Sequence, residues 1–158
     1  MLHPDLLLLT VAKTSKSPIA EIKIRALIAR DLPAVRKLWT QTKGIEIAEG
    51  DSLPCLNGFL RRNQGTSHIA IGNGKVVGAL LAGHDGRRGF LYHLAVDSTF
   101  RRAGIGHKLV DRSLAALKAK GIVRVLLLVA HDNRTGIKFW KNQGWEPLTF
   151  ANPMGKNP

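Results

Sequence analysis

The stretch Leu94-Ala-Val-Asp-Ser-Thr-Phe-Arg-Arg-Ala-Gly-Ile-Gly-His-Lys-Leu-Val110 constrains the fold more than any other part of this chain. An apolar strand end runs into a loop of two arginines and two glycines, and that loop opens into a helix whose apolar residues recur at helical spacing. The start of a helix leaves backbone N–H groups without intrahelical acceptors, and the macrodipole favours negative charge in front of them. Gly104 and Gly106 let that backbone come close to a ligand, and Arg101 and Arg102 add fixed positive charge. The layout is that of an anion cradle, and a phosphate-bearing ligand is the first expectation.

Two common phosphate motifs are excluded. Gly74-Lys75 is followed by Val76 and sits in a hairpin signal, so there is no P-loop, and Gly104-Ile-Gly106 lacks the third glycine of a dinucleotide fingerprint.

A chain of 158 residues fits one domain, assigned to residues 21–158, with residues 1–20 expected as a flexible arm. That start has an acidic Asp5 and no basic residue ahead of its apolar centre, which does not suit a secretory signal. No stretch approaches the roughly 18 apolar residues that a membrane span requires, so no membrane association is expected. Cys55 is the only cysteine and is read as a packing residue; an internal disulfide or a thiol cluster is excluded, and a reducing, cytoplasmic compartment is the expectation. His3, His68, His107 and His131 show no paired spacing, so no metal is expected. The balance of 24 Lys plus Arg against 11 Asp plus Glu leaves +13 and favours a polyanionic partner, whether nucleic acid, anionic lipid or a phosphate-rich cofactor. The basic residues are spread along the chain, however, as on a generally basic surface, so nucleic acid is not the favoured partner.

Along the chain, residues 22–27 alternate apolar and basic, as in a half-buried strand. Asp31 stands as N-cap of a helix with Pro33 in its first turn, which Gly44 ends, and Ser52 caps a second helix reaching Arg62. Between them Glu46, Glu49 and Asp51 form an acidic connector that either attracts an amine or is a solvated loop. Asn73-Gly74 joins two apolar strands as a type I′ hairpin, and a second turn at residues 83–89 leads into the strand ending at Val96. The amphipathic helix covers residues 106–120. Residues 123–129 then read as a strand covered on both faces and parallel to its neighbour, residues 133–144 as a short helix, and Trp145 as the start of a last strand.

The run Arg101-x-x-Gly104-x-Gly106, the Leu94-Ala-Val-Asp97 approach and the pattern Asn133-x-x-Gly136-x-x-Phe139-Trp140-x-x-x-Gly144-Trp145 together resemble the GNAT superfamily of acyl-CoA N-acyltransferases, whose pattern is N-x-x-A-x-x-F-Y-x-x-x-G-F. The resemblance covers roughly residues 22–148 with the element order the family would show. It implies an α/β (α+β) fold with a mixed, mostly antiparallel sheet flanked by about four helices. It also implies transfer of an acetyl group from acetyl-CoA to a primary amine, on a small molecule or a peptide, by direct attack in a ternary complex. Arg101, Arg102, Ala103, Gly104, Ile105 and Gly106 would then bind the coenzyme A pyrophosphate. The strand edge at Leu94, Ala95 and Val96 would pair with the pantetheine arm, a backbone N–H near Val96 would stabilise the oxyanion, and Asn133 would hydrogen-bond the cofactor.

The chain departs from the family at Trp140, a cofactor-side position where a tyrosine often protonates the leaving thiolate; an indole N–H is no practical proton donor. Tyr92, the only tyrosine, is the candidate acid, expected on the strand face it shares with Leu94; the alternative is a packed strand aromatic. For the base, Phe90 stands where a Glu is expected, and His93, His84, Asp85, Glu46 and Glu49 are available, with His93 facing opposite to Tyr92. Two other functions fit the same residues: a non-catalytic acyl-CoA-binding module of the same fold, and a basic nucleic-acid-associated protein.

Overall fold

The computed structural model describes residues 21–158, so the arm expected at residues 1–20 lies outside it. In chain order the elements are β1 (Lys23–Ala26), α1 (Leu32–Thr40), α2 (Leu53–Arg62), β2 (His68–Gly72), β3 (Lys75–His84), β4 (Gly89–Val96), α3 (Ile105–Ala119), β5 (Val125–Leu127) and α4 (Arg134–Asn142). The strands form one sheet in chain order. Neighbours from β1 to β4 are antiparallel and join through short connections or through the α1–α2 excursion, whereas β5 runs parallel to β4 because α3 carries the chain back. This is the mixed, mostly antiparallel sheet with four helices that the resemblance implies.

Two helical layers bury the two faces. On one, Val35 and Trp39 of α1 and Leu56 of α2 pack on Ile69, Ala79 and Leu81; on the other, Ile105, Leu109 and Leu117 of α3 pack on Ala70, Leu80 and Leu91. Successive residues of β3 thus serve opposite cores, which is why its sequence reads as a continuous apolar run instead of an alternating one. Each fully buried Leu or Ile contributes about 1.5–3 kcal/mol relative to exposure. Asn73 and Gly74 have φ of 50° and 72°, the type I′ turn expected between β2 and β3. Ser52 Oγ accepts the Cys55 N–H at 3.4 Å and caps α2 as its sequence suggests, while the Cys55 side chain is exposed and not a packing residue.

Four expectations are corrected. Asp31 does not cap α1: it is itself in αR geometry, and its carboxylate accepts two N–H groups of Arg25, at 2.6 and 2.8 Å, and the Ile28 N–H at 3.0 Å. The helix it precedes ends at Thr40, and Gly44 lies in the turn beyond. Of the apolar run at residues 123–129 only Val125–Leu127 pairs as strand, all three residues are half-buried, and Leu128 is 74% exposed; β5 has a neighbour on one side alone among the described residues. No strand begins at Trp145, whose ring packs instead against Trp140.

The β3–β4 register shifts between the pairs Ala79↔Ala95 and Leu81↔Tyr92, so His93 and Leu94 together oppose Leu80. His93 takes φ 52° at this bulge. The extra residue breaks the side-chain alternation. Tyr92 and His93 therefore both face α1 and α2, and Leu94 faces α3; Tyr92 does not share a face with Leu94, and His93 does not oppose Tyr92.

Candidate functional site

Between β4 and α3 the chain is shaped by its own short-range bonds. Asp97 Oδ1 accepts the Thr99 N–H at 2.8 Å and fixes a single 3-10 turn at Ser98–Phe100. Arg102 then adopts φ 62° and Gly104 φ 73°. For a non-glycine residue this costs on the order of 1 kcal/mol. The first bond that α3 makes to this loop runs from the Lys108 N–H to the Gly104 carbonyl at 3.1 Å, and the N–H groups of residues 102–107 have no acceptor among the described residues.

The two glycines of this loop have different reasons to be there. A Cβ on Gly104 would meet nothing within 4 Å, so the mouth of the cradle is open. A Cβ on Gly106 would stand 3.1 Å from Phe139 Cζ, so the close packing of α4 on α3 occupies the space on that side of the loop. Arg101, Arg102 and Ala103 are exposed, whereas the Ile105 side chain is core and only its backbone faces outward.

Beside the cradle, the pairing of β4 with β5 stops at Leu91↔Leu127, and β4 continues to Val96 with β3 as its partner strand. Beyond that pair the two parallel strands share no ladder. Asp97 donates its N–H to the Val77 carbonyl at 2.8 Å, so by strand alternation the N–H groups of Val96 and Leu94 point to the opposite, open edge. The Val96 carbonyl on that edge accepts Arg101 Nε at 3.2 Å. Ala95 is buried toward α1.

Two expected residues from the end of β5 and from α4 serve the fold. Asn133 Oδ1 accepts the Gly136 N–H at 2.9 Å and caps α4, leaving its amide nitrogen as a donor over Gly44. Trp140 is locked edge-on between Phe139 and Trp145, with ring centroids 5.1 and 5.2 Å away.

On the α1 and α2 side of β4, Tyr92 packs against Phe59 and Phe90. The residue is 39% exposed, and the partial burial of its ring against these neighbours pushes the phenol above its ordinary value, so it is protonated at neutral pH. Next to it, His93 Nε2 lies 3.0 Å from Asp51 Oδ2, and both side chains are mostly buried, at 19% and 13% exposure. Asp51 is itself held: its Oδ2 accepts the Ala48 N–H at 3.1 Å and its carbonyl accepts Arg36 Nε at 3.0 Å. Sequence reasoning weighed His93 and the acidic connector separately. It missed the pair because the partners are 42 residues apart and only the bulge turns His93 toward that loop.

The other candidates are spent or solvated. His84 Nδ1 accepts the Gly86 N–H and Asp85 Oδ1 accepts those of Arg87 and Arg88, which closes the β3–β4 turn, while Glu46 and Glu49 are exposed. His68 is buried against Ser113 Oγ at 2.9 Å, and burial pushes its pKa below the ordinary value, the behaviour of a neutral core residue. Among the described residues no group of three His, Cys, Asp or Glu side chains could hold a metal, and no helix is long and apolar enough to cross a membrane. Two surface concavities, of about 350 Å³ beside Pro33 and Pro54 and about 550 Å³ beside Lys23 and Arg25, include no cradle residue.

Comparison with known proteins adds to this geometry. Residues 32–145 match the sequence model of the Acetyltransferase (GNAT) family. An acetyltransferase of Pectobacterium atrosepticum is 36% identical over 80 residues, covering 51% of this chain and 57% of that protein, so the match spans little more than half the relative's length. The crystal structure of Ard1 from Thermoplasma volcanium superposes with a TM-score of 0.68 at 26% identity, over 78% of this chain and 81% of that one. An aminoglycoside acetyltransferase from an uncultured soil metagenomic sample, solved in complex with sisomicin, gives 0.63 at 23% identity over 85% and 97% of the two chains, a likeness of fold.

Proposed function

Because this chain belongs to the GNAT acetyltransferase family, we propose that it transfers an acetyl group from acetyl-CoA to a primary amine by direct attack within a ternary complex. The observation that carries this proposal is the set of unpartnered N–H groups at residues 102–107, which includes two left-handed residues, Arg102 and Gly104, and has the exposed Arg101 and Arg102 at its start. A pyrophosphate matches such a cradle in charge and in number of acceptors.

Acetyl-CoA, when bound, supplies an acyl carbon activated by a thiolate leaving group. The residues of this chain supply its placement. Arg101, Arg102 and the N–H groups of Ala103, Gly104, Ile105 and Gly106 hold the pyrophosphate. The open edge at Leu94, Ala95 and Val96 lies beside the cradle, and its outward N–H groups suit the amides of a pantetheine arm. Arg101 leaves the Val96 carbonyl to do its part. The Val96 N–H stabilises the charge that grows on the thioester oxygen; one such donor is typically worth about 10²–10³ in rate. Asn133 contributes its remaining amide donor, and Trp140 walls the cofactor side. Tyr92, protonated at neutral pH, returns a proton to the departing sulfur. Glu46 and Glu49 favour approach of a cationic amine.

Release of free thiol from acetyl-CoA tests this, with spermidine, sisomicin and a short peptide bearing an N-terminal alanine as acceptors. Amine-dependent, saturable release is expected with at least one of them. Acetyl-CoA binding without release from any acceptor would favour the non-catalytic acyl-CoA-binding module. Generic RNA bound more tightly than acetyl-CoA at physiological salt would favour the basic nucleic-acid-associated protein.

A further inference from the structure

We propose that His93, oriented by Asp51, is the general base that takes the proton from the acceptor's ammonium group. The proposal rests on the acetyl-transfer function above and names the residue that completes it. Four observations converge on this pair. Nε2 of His93 is 3.0 Å from Asp51 Oδ2, and an ionised carboxylate only accepts, so the ring proton sits on Nε2 and the lone pair on Nδ1. Nδ1 has no partner among the described residues, whereas His84 and His68 both spend theirs on the fold. The backbone of His93 is held at φ 52°, an unfavourable conformation for histidine that the bulge imposes directly before the open edge at Leu94. The imidazole also rests on Trp39, with centroids 4.9 Å apart, and the indole N–H of that fully buried ring has no acceptor among the described residues. The place is polar inside an apolar core.

Asp51 is the positioning residue. The titratable and charged groups around the imidazole are Asp51 on the α1–α2 connector, Arg36 of α1 on the Asp51 carbonyl, and Tyr92 beside His93 on β4. In the step itself the ammonium gives one proton to Nδ1, and the freed lone pair forms the C–N bond at the acetyl carbon. The C–S bond then breaks, the second nitrogen proton reaches the thiolate through Tyr92, and His93 releases its proton to water. The products are the amide, free coenzyme A and one proton.

The test is kcat and KM against pH for wild type, His93→Asn and Asp51→Asn, with acetyl-CoA and whichever of the three acceptors turns over fastest. Asparagine tolerates the left-handed backbone at this position. The expected result for His93→Asn is a fall in kcat of about 10²-fold, an unchanged KM for acetyl-CoA, and loss of the acidic limb, with the residual rate following the free-amine fraction in solution. Asp51→Asn should lower kcat less, with partial recovery in Asp51→Glu. If asparagine prevents folding, His93→Gly carries the same test, and added imidazole should restore its turnover. An unchanged kcat and pH profile in His93→Asn, or no imidazole rescue in His93→Gly that still binds acetyl-CoA, overturns the assignment and leaves the transferase function standing. No turnover by wild type overturns both, and the wild-type control reveals it.

Discussion

Asp31 is the residue on which a pH dependence of folding can be worked out. Its carboxylate lies 8% exposed and accepts from Arg25 and from the Ile28 N–H. The Arg25 hydrogen bond, more than any other influence, holds its pKa below the ordinary carboxylate value. A depressed folded-state pKa means stability that is present above the ordinary carboxylate range and lost as pH falls through the folded value. Asp31→Asn should therefore cost about 2 kcal/mol at neutral pH, and the gap to wild type should close below about pH 4. Urea midpoints measured across pH check this; a gap that stays constant into acid would contradict it. In the sequence Asp31 looked like a helix cap, because a carboxylate ahead of Leu-Pro fits that role. That the short 3-10 turn after β1 folds it back onto Arg25, six residues earlier, is a matter of backbone path that a helix-cap pattern does not carry. The same holds for Gly106, whose need for space comes from Phe139, 33 positions further on.

Among elements, β4 shows where periodicity informs and where it stops. Its apolar character, the hairpin before it and α3 after it were all legible, because alternation, an Asn-Gly turn and a 3.6-residue stripe are local signals. The bulge at His93 was not, since one inserted residue leaves composition unchanged while reversing the face of what precedes it. The short reach of β5 was equally hidden: the run at residues 123–129 is apolar enough for a longer strand, but only three residues find a ladder partner. The unpaired edge of β4 that results has a measurable consequence. Amide exchange of Leu94 and Val96 should be fast in the free protein and slow by about tenfold or more on addition of acetyl-CoA, while Asp97, bonded to Val77, stays protected throughout. Unchanged exchange at Leu94 and Val96 in the presence of saturating acetyl-CoA would argue against pairing of that edge with the ligand.

For the molecule as a whole, the sequence motifs name the residues proposed for the cofactor end of the site and leave the proton-transfer end open, since a pyrophosphate cradle is built from contiguous backbone and a proton-transfer pair from residues that only the fold brings together. The net charge of +13 suits a phosphate-rich ligand without specifying one. The central claim is that residues 101–106 bind acetyl-CoA through its pyrophosphate. Calorimetric titration of acetyl-CoA into wild type and into the Arg101→Ala, Arg102→Ala double variant tests it most directly, because both side chains are exposed and their loss leaves the core intact. Loss of two charge-assisted contacts predicts saturable one-to-one binding in wild type and affinity weakened by about 10²-fold in the variant. Equal dissociation constants for the two proteins would contradict the cradle assignment.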